Sequence, residues 1–133
     1  MKKTTLLNAS LSETIASMGH TDMLVISDAG LPVPAGPRRI DLALTRGVPG
    51  FLQTLEVILS ELNVERIIIA RETAQVSPQI FEAVKRLLPN IPVEQISHEE
   101  FKRTTASARA VVRTGEFTSY ANVILVSGVD FSK

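Results

Sequence analysis

Short apolar runs of four or five residues alternate along this chain with longer stretches whose apolar residues recur every three or four positions. Met23-Leu24-Val25-Ile26 is uninterrupted and reads as a strand buried on both faces, ending at Ser27-Asp28. Ile67-Ile68-Ile69-Ala70 reads the same way. Ile40-Asp41-Leu42-Ala43-Leu44 alternates like a short strand, and Val93 and Ile96 flank another after Pro92. Ala110-Val111-Val112-Arg113 and Asn122-Val123-Ile124-Leu125-Val126 supply the last two, parted by a turn at Gly115.

Helical spacing fills the intervals. Ser10-Leu11-Ser12-Glu13 matches a capping box before Leu11, Ile15 and Met18, and Gly19 is expected to stop that helix in a left-handed conformation. Phe51, Leu55, Ile58, Leu59 and Leu62 form a second helical stripe, with Pro49 near its start. Ser77-Pro78 opens a third helix, carrying Ile80, Phe81, Val84, Leu87 and Leu88 on its inner side. Ser97 caps a fourth, which carries His98, Phe101 and Lys102, and Glu100 completes a second capping box. Three prolines and two glycines make Ala29 to Pro37 a stiff loop. Strands alternating with helices predict a three-layer α/β/α fold around a mostly parallel or mixed sheet of about six strands. The chain's 133 residues fit a single domain, 1–133.

The composition narrows the function. Fourteen basic side chains balance fourteen acidic ones, so the chain lacks the electrostatic footprint of a nucleic-acid or anionic-membrane partner. Cysteine is absent, which removes disulfides, thiolate nucleophiles and cysteine-ligated metals. Only Leu6-Leu7 follows the basic start before Asn8, too little for a signal peptide, and the cytoplasm is the expected location. Neither a dinucleotide fingerprint nor a phosphate loop occurs, and there is no nucleophile elbow. His20 and His98 lie far apart without metal-ligand spacing, so no metal is expected.

Three groups of residues carry possible chemistry. The first is His20-Thr21-Asp22 with Asp28-Ala29-Gly30 across one strand. Alone, His20 reads as a surface histidine in a loop. Placed past a helix C-terminus and near Asp22 or Asp28, it is favoured as imidazolium and suited to donate a proton. Asp28 ends a buried strand, where ligand crevices of open α/β sheets lie, and its carboxylate can accept from two neighbouring hydroxyls. The second group, His98 and Lys102, shares one helical face, a spacing that also suits a solvated edge. The third is Tyr120 and Asn122, which point together if their segment is extended. A structural tyrosine beside a turn asparagine is the alternative. Arg113 and Glu116 are expected to brace the Gly115 turn.

Taken together, these segments resemble the D-ribose pyranase family, the sugar mutarotases found with bacterial ribose-uptake systems. The likeness runs through Leu7-Asn8, Gly19-His20-Thr21-Asp22, Asp28 to Pro34, Ile40 to Leu44 and Gly47-Val48-Pro49. It continues with His98 to Lys102, Arg113-Thr114-Gly115-Glu116, Tyr120-Ala121-Asn122 and Gly128-Val129. The middle, from Arg71 to Ile91, carries least of it. Related fucose mutarotases share parts of the layout.

The resemblance implies an isomerase that interconverts the pyranose and furanose rings of D-ribose, with no cofactor. It implies His20 as the catalytic acid, and Asp28, His98, Lys102, Tyr120 and Asn122 as sugar-binding residues. It further implies a homodecamer of two stacked pentamer rings with sites between subunits, so that Tyr120 and Asn122 serve a neighbour's His20. The base is open among bound water, Asp28 and a second-subunit group. One departure is Ser119, where the family usually has proline, and the loop presenting Tyr120 is expected to be less rigid for it. Two other readings use the same residues: a noncatalytic sugar-binding accessory of a ribose-uptake system, and a purely structural oligomer.

Overall fold

The computed structural model describes residues 1–131, so the last two of the expected 1–133 unit lie outside the described residues. Helix α1 (Ala9–Ser17) precedes strands β1 (Met23–Ser27) and β2 (Arg38–Asp41). Then come α2 (Phe51–Leu59), β3 (Val64–Ala70), α3 (Arg71–Val76), α4 (Pro78–Leu87) and β4 (Val93–Ile96). Helix α5 (His98–Thr104) runs into a short 3₁₀ turn (Thr105–Ser107) before β5 (Ala110–Arg113) and β6 (Val123–Ser127).

The strands form one six-stranded sheet in the order β2-β5-β1-β6-β3-β4. It is mixed. β2, β5 and β1 pair in parallel, as do β3 and β4, while β6 runs antiparallel between β1 and β3. Period-two alternation sends the strands' apolar residues to two separate cores. Leu24, Ile26, Ile67, Ile69, Val123 and Leu125 pack under Leu11 of α1, Phe51, Leu55 and Ile58 of α2, and Ile80 and Val84 of α4. Val25, Ile68, Val111, Ile124 and Val126 pack under Phe101 of α5 and Leu31 of the proline-rich loop. Helices therefore cover both faces, as the apolar runs predict. No described helix is long and apolar enough to cross a membrane.

Several boundaries differ from the sequence reading, each for a local reason. The cap of α1 is Asn8, whose Oδ1 accepts from Leu11 N–H at 2.9 Å, two residues ahead of the expected Ser10. Gly19 does not have a positive φ; Thr21 does, at 72°. Strand β2 starts earlier and ends at Asp41, whose Oδ1 accepts from Ala43 N–H and turns the chain. Helix α2 stops at Leu59, although Leu62 stays buried. Helix α3 has no counterpart in the sequence reading, because Arg-Glu-Thr-Ala-Gln-Val shows no apolar period and no capping side chain. Ser97 caps α5 by accepting from Glu100 N–H at 3.1 Å. Glu72 of α3 satisfies the next orphan donor of the helix, its carboxylate accepting from His98 N–H at 3.0 Å.

Candidate functional site

The antiparallel placement of β6 brings the start of that strand beside the end of β1, and their loops meet the first turn of α5 there. They enclose an open cleft of about 630 Å³. Asp28 to Pro32 form one wall, His98 and Lys102 a second, and Arg113 with residues 116–120 a third. The cleft thus lies at the carboxyl ends of β1 and β5, where open α/β sheets leave a crevice.

Asp28 is the most constrained group in it. Its Oδ1 accepts from Gly30 N–H at 3.0 Å and Leu31 N–H at 2.9 Å, which bends the chain into the loop. Asn122, fully buried, receives Asp28 N–H on its Oδ1 at 2.9 Å and donates from Nδ2 to Asp28 Oδ2 at 3.3 Å. Burial raises the Asp28 carboxyl above the ordinary aspartate range; the hydrogen bonds from Gly30, Leu31 and Asn122 and the nearby His98 oppose that rise without cancelling it.

His98 and Lys102 both line the cleft, as their spacing on one helical face predicts. The His98 ring meets Tyr120 edge-on, with centroids 4.9 Å apart, and its Nδ1 is buried with no hydrogen-bond partner among the described residues. A buried polar atom left in this state favours a ligand that supplies its partner. Lys102 Nζ pairs with Glu99 at 2.9 Å.

Tyr120 and Asn122 do not share a face. Tyr120 takes a positive φ of 61°, so its segment is a turn rather than extended. The tyrosine lines the cleft while Asn122 is buried behind Asp28, outside the lining. The Tyr120 loop is firmly held despite Ser119. Thr73 Oγ1 donates to Tyr120 O at 2.7 Å and Ser77 Oγ to Ser119 O at 2.6 Å, so α3 and the start of α4 replace the restraint of a proline.

Arg113 and Glu116 do more than brace the Gly115 turn. Arg113 donates from Nε to Ala29 O at 3.0 Å and from Nη1 to the Asp41 carboxylate at 3.1 Å, tying the cleft wall to β2. Glu116 caps α2, accepting from Phe51 N–H at 3.0 Å. Partial desolvation raises its carboxyl, but hydrogen bonds from Phe51, Thr118 and Phe117 outweigh that and hold it below the usual glutamate range. The sequence reading gave neither residue a place in the cleft. The only signal was their position at the carboxyl end of β5.

His20 is elsewhere. Thr21 N–H donates to Ser127 O and Ser127 N–H to Asp22 O, both at 2.8 Å, which fixes the His20 loop beside the end of β6. The five residues of β1, at roughly 3.3 Å each, put about 17 Å of sheet between this loop and Asp28. The expected pairing of His20 with Asp22 or Asp28 is therefore corrected. Crossing one strand means crossing the sheet, and Asp22 is taken up by Gly19 N–H and Arg109 Nη1, each at 2.9 Å. The carboxylate at His20 is Glu65, whose Oε2 lies 2.9 Å from Nε2. Within one chain the structure brings together Asp28, His98, Lys102 and Tyr120, with Asn122 behind them, and leaves His20 at the opposite end of the sheet.

Comparison with known proteins agrees with this architecture. The D-ribose pyranase of Chloroflexus aggregans is 62% identical over 98% of this chain and 100% of its own length. That of Symbiobacterium thermophilum is 60% identical over the same shares. The structure of Bacillus subtilis RbsD complexed with D-ribose superposes with a TM-score of 0.95 at 47% identity, covering 98% of this chain and all of that one. The fucose mutarotase of Streptococcus pneumoniae in complex with L-fucose, 24% identical, shares the fold with a TM-score of 0.79 over 92% of this chain and 94% of its own. Residues 1–130 match the family described as the RbsD / FucU transport protein family, and the chain belongs to it.

Proposed function

We propose that this protein is a D-ribose pyranase, an isomerase that interconverts the pyranose and furanose rings of D-ribose and works as one mutarotase domain. The observation that carries the reading is the superposition, over nearly the whole chain, on a protein holding D-ribose. The cleft suits such a ligand. It offers the anchored carboxylate of Asp28, the unpartnered Nδ1 of His98, the Lys102 ammonium and the Tyr120 phenol, a mixed set of donors and acceptors for adjacent hydroxyls.

The chemistry needs only proton transfer. The ring oxygen gains a proton as its bond to the anomeric carbon breaks, the anomeric hydroxyl gives one up, and an aldehyde forms. Closure through a different hydroxyl gives the other ring size. His20 is the acid in this reading. Because the sheet separates it from its own cleft, it serves the cleft of an adjoining subunit in a homo-oligomer, with the decamer of the family as the assembly. Asn122 supports the sugar through Asp28. The cytoplasm, where imported ribose arrives, is the proposed location.

Saturation-transfer NMR on equilibrated ribose tests the reaction. Catalytic amounts of protein should accelerate pyranose–furanose exchange, and more for ribose than for fucose. Binding of ribose with no gain in rate would establish the noncatalytic accessory instead.

Acid should weaken binding early. The raised Asp28 carboxyl takes up its proton at a higher pH than a solvent-exposed aspartate does, and protonation removes an acceptor for sugar hydroxyls. Ribose affinity measured by calorimetry should therefore decline on acidification while free aspartates are still ionised. A flat affinity down to the ordinary aspartate range would take Asp28 out of sugar binding.

A further inference from the structure

His20 is held by more than its own loop. Val64 of β3 pairs with Ser127 and Arg66 with Val126, so Glu65 is an extra residue in β3, a bulge against β6. Bulges re-aim a side chain and often sit beside active sites. This one turns Glu65 toward the His20 ring, where Oε2 stands 2.9 Å from Nε2. Gly128 accommodates the bulge: a Cβ there would lie 3.0 Å from Glu65 Cβ and 3.3 Å from Glu65 N, and Gly128 N–H donates to Asn63 O at 2.8 Å. On the other side Thr21 adopts its left-handed φ while hydrogen-bonded to Ser127. Both His20 and Glu65 are partly exposed, at 54% and 37%, and exposed ion pairs contribute little to stability. A bulge, a close-packed glycine and a left-handed threonine converge on one pair that stability does not explain.

We propose that Glu65 is the positioning residue for His20. A carboxylate only accepts, so the hydrogen of this bond resides on Nε2, and Nδ1 is the nitrogen left to exchange a proton with the sugar. The inference rests on the reading of His20 as the acid. In the imidazolium, Nδ1–H goes to the ring oxygen as the bond from that oxygen to the anomeric carbon breaks and the anomeric hydroxyl releases its proton to solvent, leaving the aldehyde. The ring is left neutral with its hydrogen on Nε2, the tautomer that Glu65 holds. On closure Nδ1 takes the proton back.

Glu65→Gln tests this with little change of shape. Its amide can donate as well as accept, so Nε2 is no longer obliged to carry the hydrogen. Long-range ¹H–¹⁵N spectra of the assembled protein, with neutral His20, should show the Nε2–H form in the native chain and a population of Nδ1–H in the variant. Catalysed exchange at saturating ribose should fall roughly 10- to 100-fold, with affinity and assembly unchanged. A native spectrum dominated by Nδ1–H, or a Glu65→Gln protein with full exchange, overturns the proposal. The two readings fail separately. Native exchange rates in His20→Ala would remove His20 as the acid, while the tautomer spectrum would still decide whether Glu65 sets the ring.

Discussion

Mixed oligomers assembled from His20→Ala and Asp28→Asn chains should regain ribose ring exchange that neither variant shows alone. The expectation follows from the position of the two residues at opposite ends of β1, with the whole sheet between them. If a site takes His20 from one chain and Asp28 from the next, each pure variant lacks one group at every site. Loss of the acid alone should cost about 10²–10⁴-fold in the catalysed rate. Asn at position 28 can still accept from Gly30 and Leu31, so the loop keeps its bend while the anionic acceptor is lost. Random co-assembly then restores about one complete site in four, the product of two even chances in a head-to-tail interface. The surface is consistent with such an interface. Phe117 is exposed on the cleft wall, with Leu44 and Val48 also exposed, while Val129 and Phe131 follow Gly128 at the His20 end. Exposed apolar groups at two different ends suit a contact in which one end of a copy meets the other end of its neighbour. Mixtures as inert as their parents would require both residues to act within one protomer. The sheet forbids that, so His20 would lose its role.

What the sequence makes legible here is whatever is local. The apolar runs at residues 23–26, 67–70 and 110–113 are strands because nothing but a two-faced burial accommodates them, and the cleft lies at the end of the first, as its terminal Asp28 implies. The face shared by His98 and Lys102 is equally local. The contacts that finish the site are not. Asp28 and Asn122 are 94 residues apart, and His20 and Glu65 are 45 apart; both pairs depend on which strands lie side by side. Strand order is invisible in periodicity. So is the insertion of β6 against the direction of its neighbours, which sends one end of β1 to the cleft and the other to His20. Tyr120 illustrates a different failure. A non-glycine residue with positive φ contradicts its own preference, and the bonds from Thr73 and Ser77 to its loop help hold it there.

Gly115→Ala should destabilise the protein markedly, where Gly19→Ala should hardly be felt. The sequence reading gave a special conformation to Gly19, but neither glycine has a positive φ. What separates them is space. A Cβ at position 19 meets only the Asp22 carboxylate, at 3.8 Å, an ordinary contact. A Cβ at position 115 would stand 2.5 Å from Thr45 O, 2.7 Å from Val48 O and 2.8 Å from Val48 N. All three are backbone atoms, and they cannot rotate away as a side chain would. Gly115 is hydrogen-bonded to the same strip, donating to Pro49 O at 2.9 Å while its carbonyl accepts from Gly47 N–H at 2.6 Å. Relief therefore means moving residues 45–49 away from β5 and breaking those bonds. Overpacking of a core typically costs about 1–3 kcal/mol, and collision with fixed backbone should reach the upper end or beyond. For a chain of this size, about 3 kcal/mol lowers Tm by roughly 10 °C. The damage should not stay local, because Glu116 follows directly and caps α2 through Phe51, and Arg113 precedes it on the cleft wall. Differential scanning calorimetry of both variants decides the matter. A Gly115→Ala protein melting within a few degrees of the native chain would mean that the 45–49 turn yields freely and does not brace the cleft.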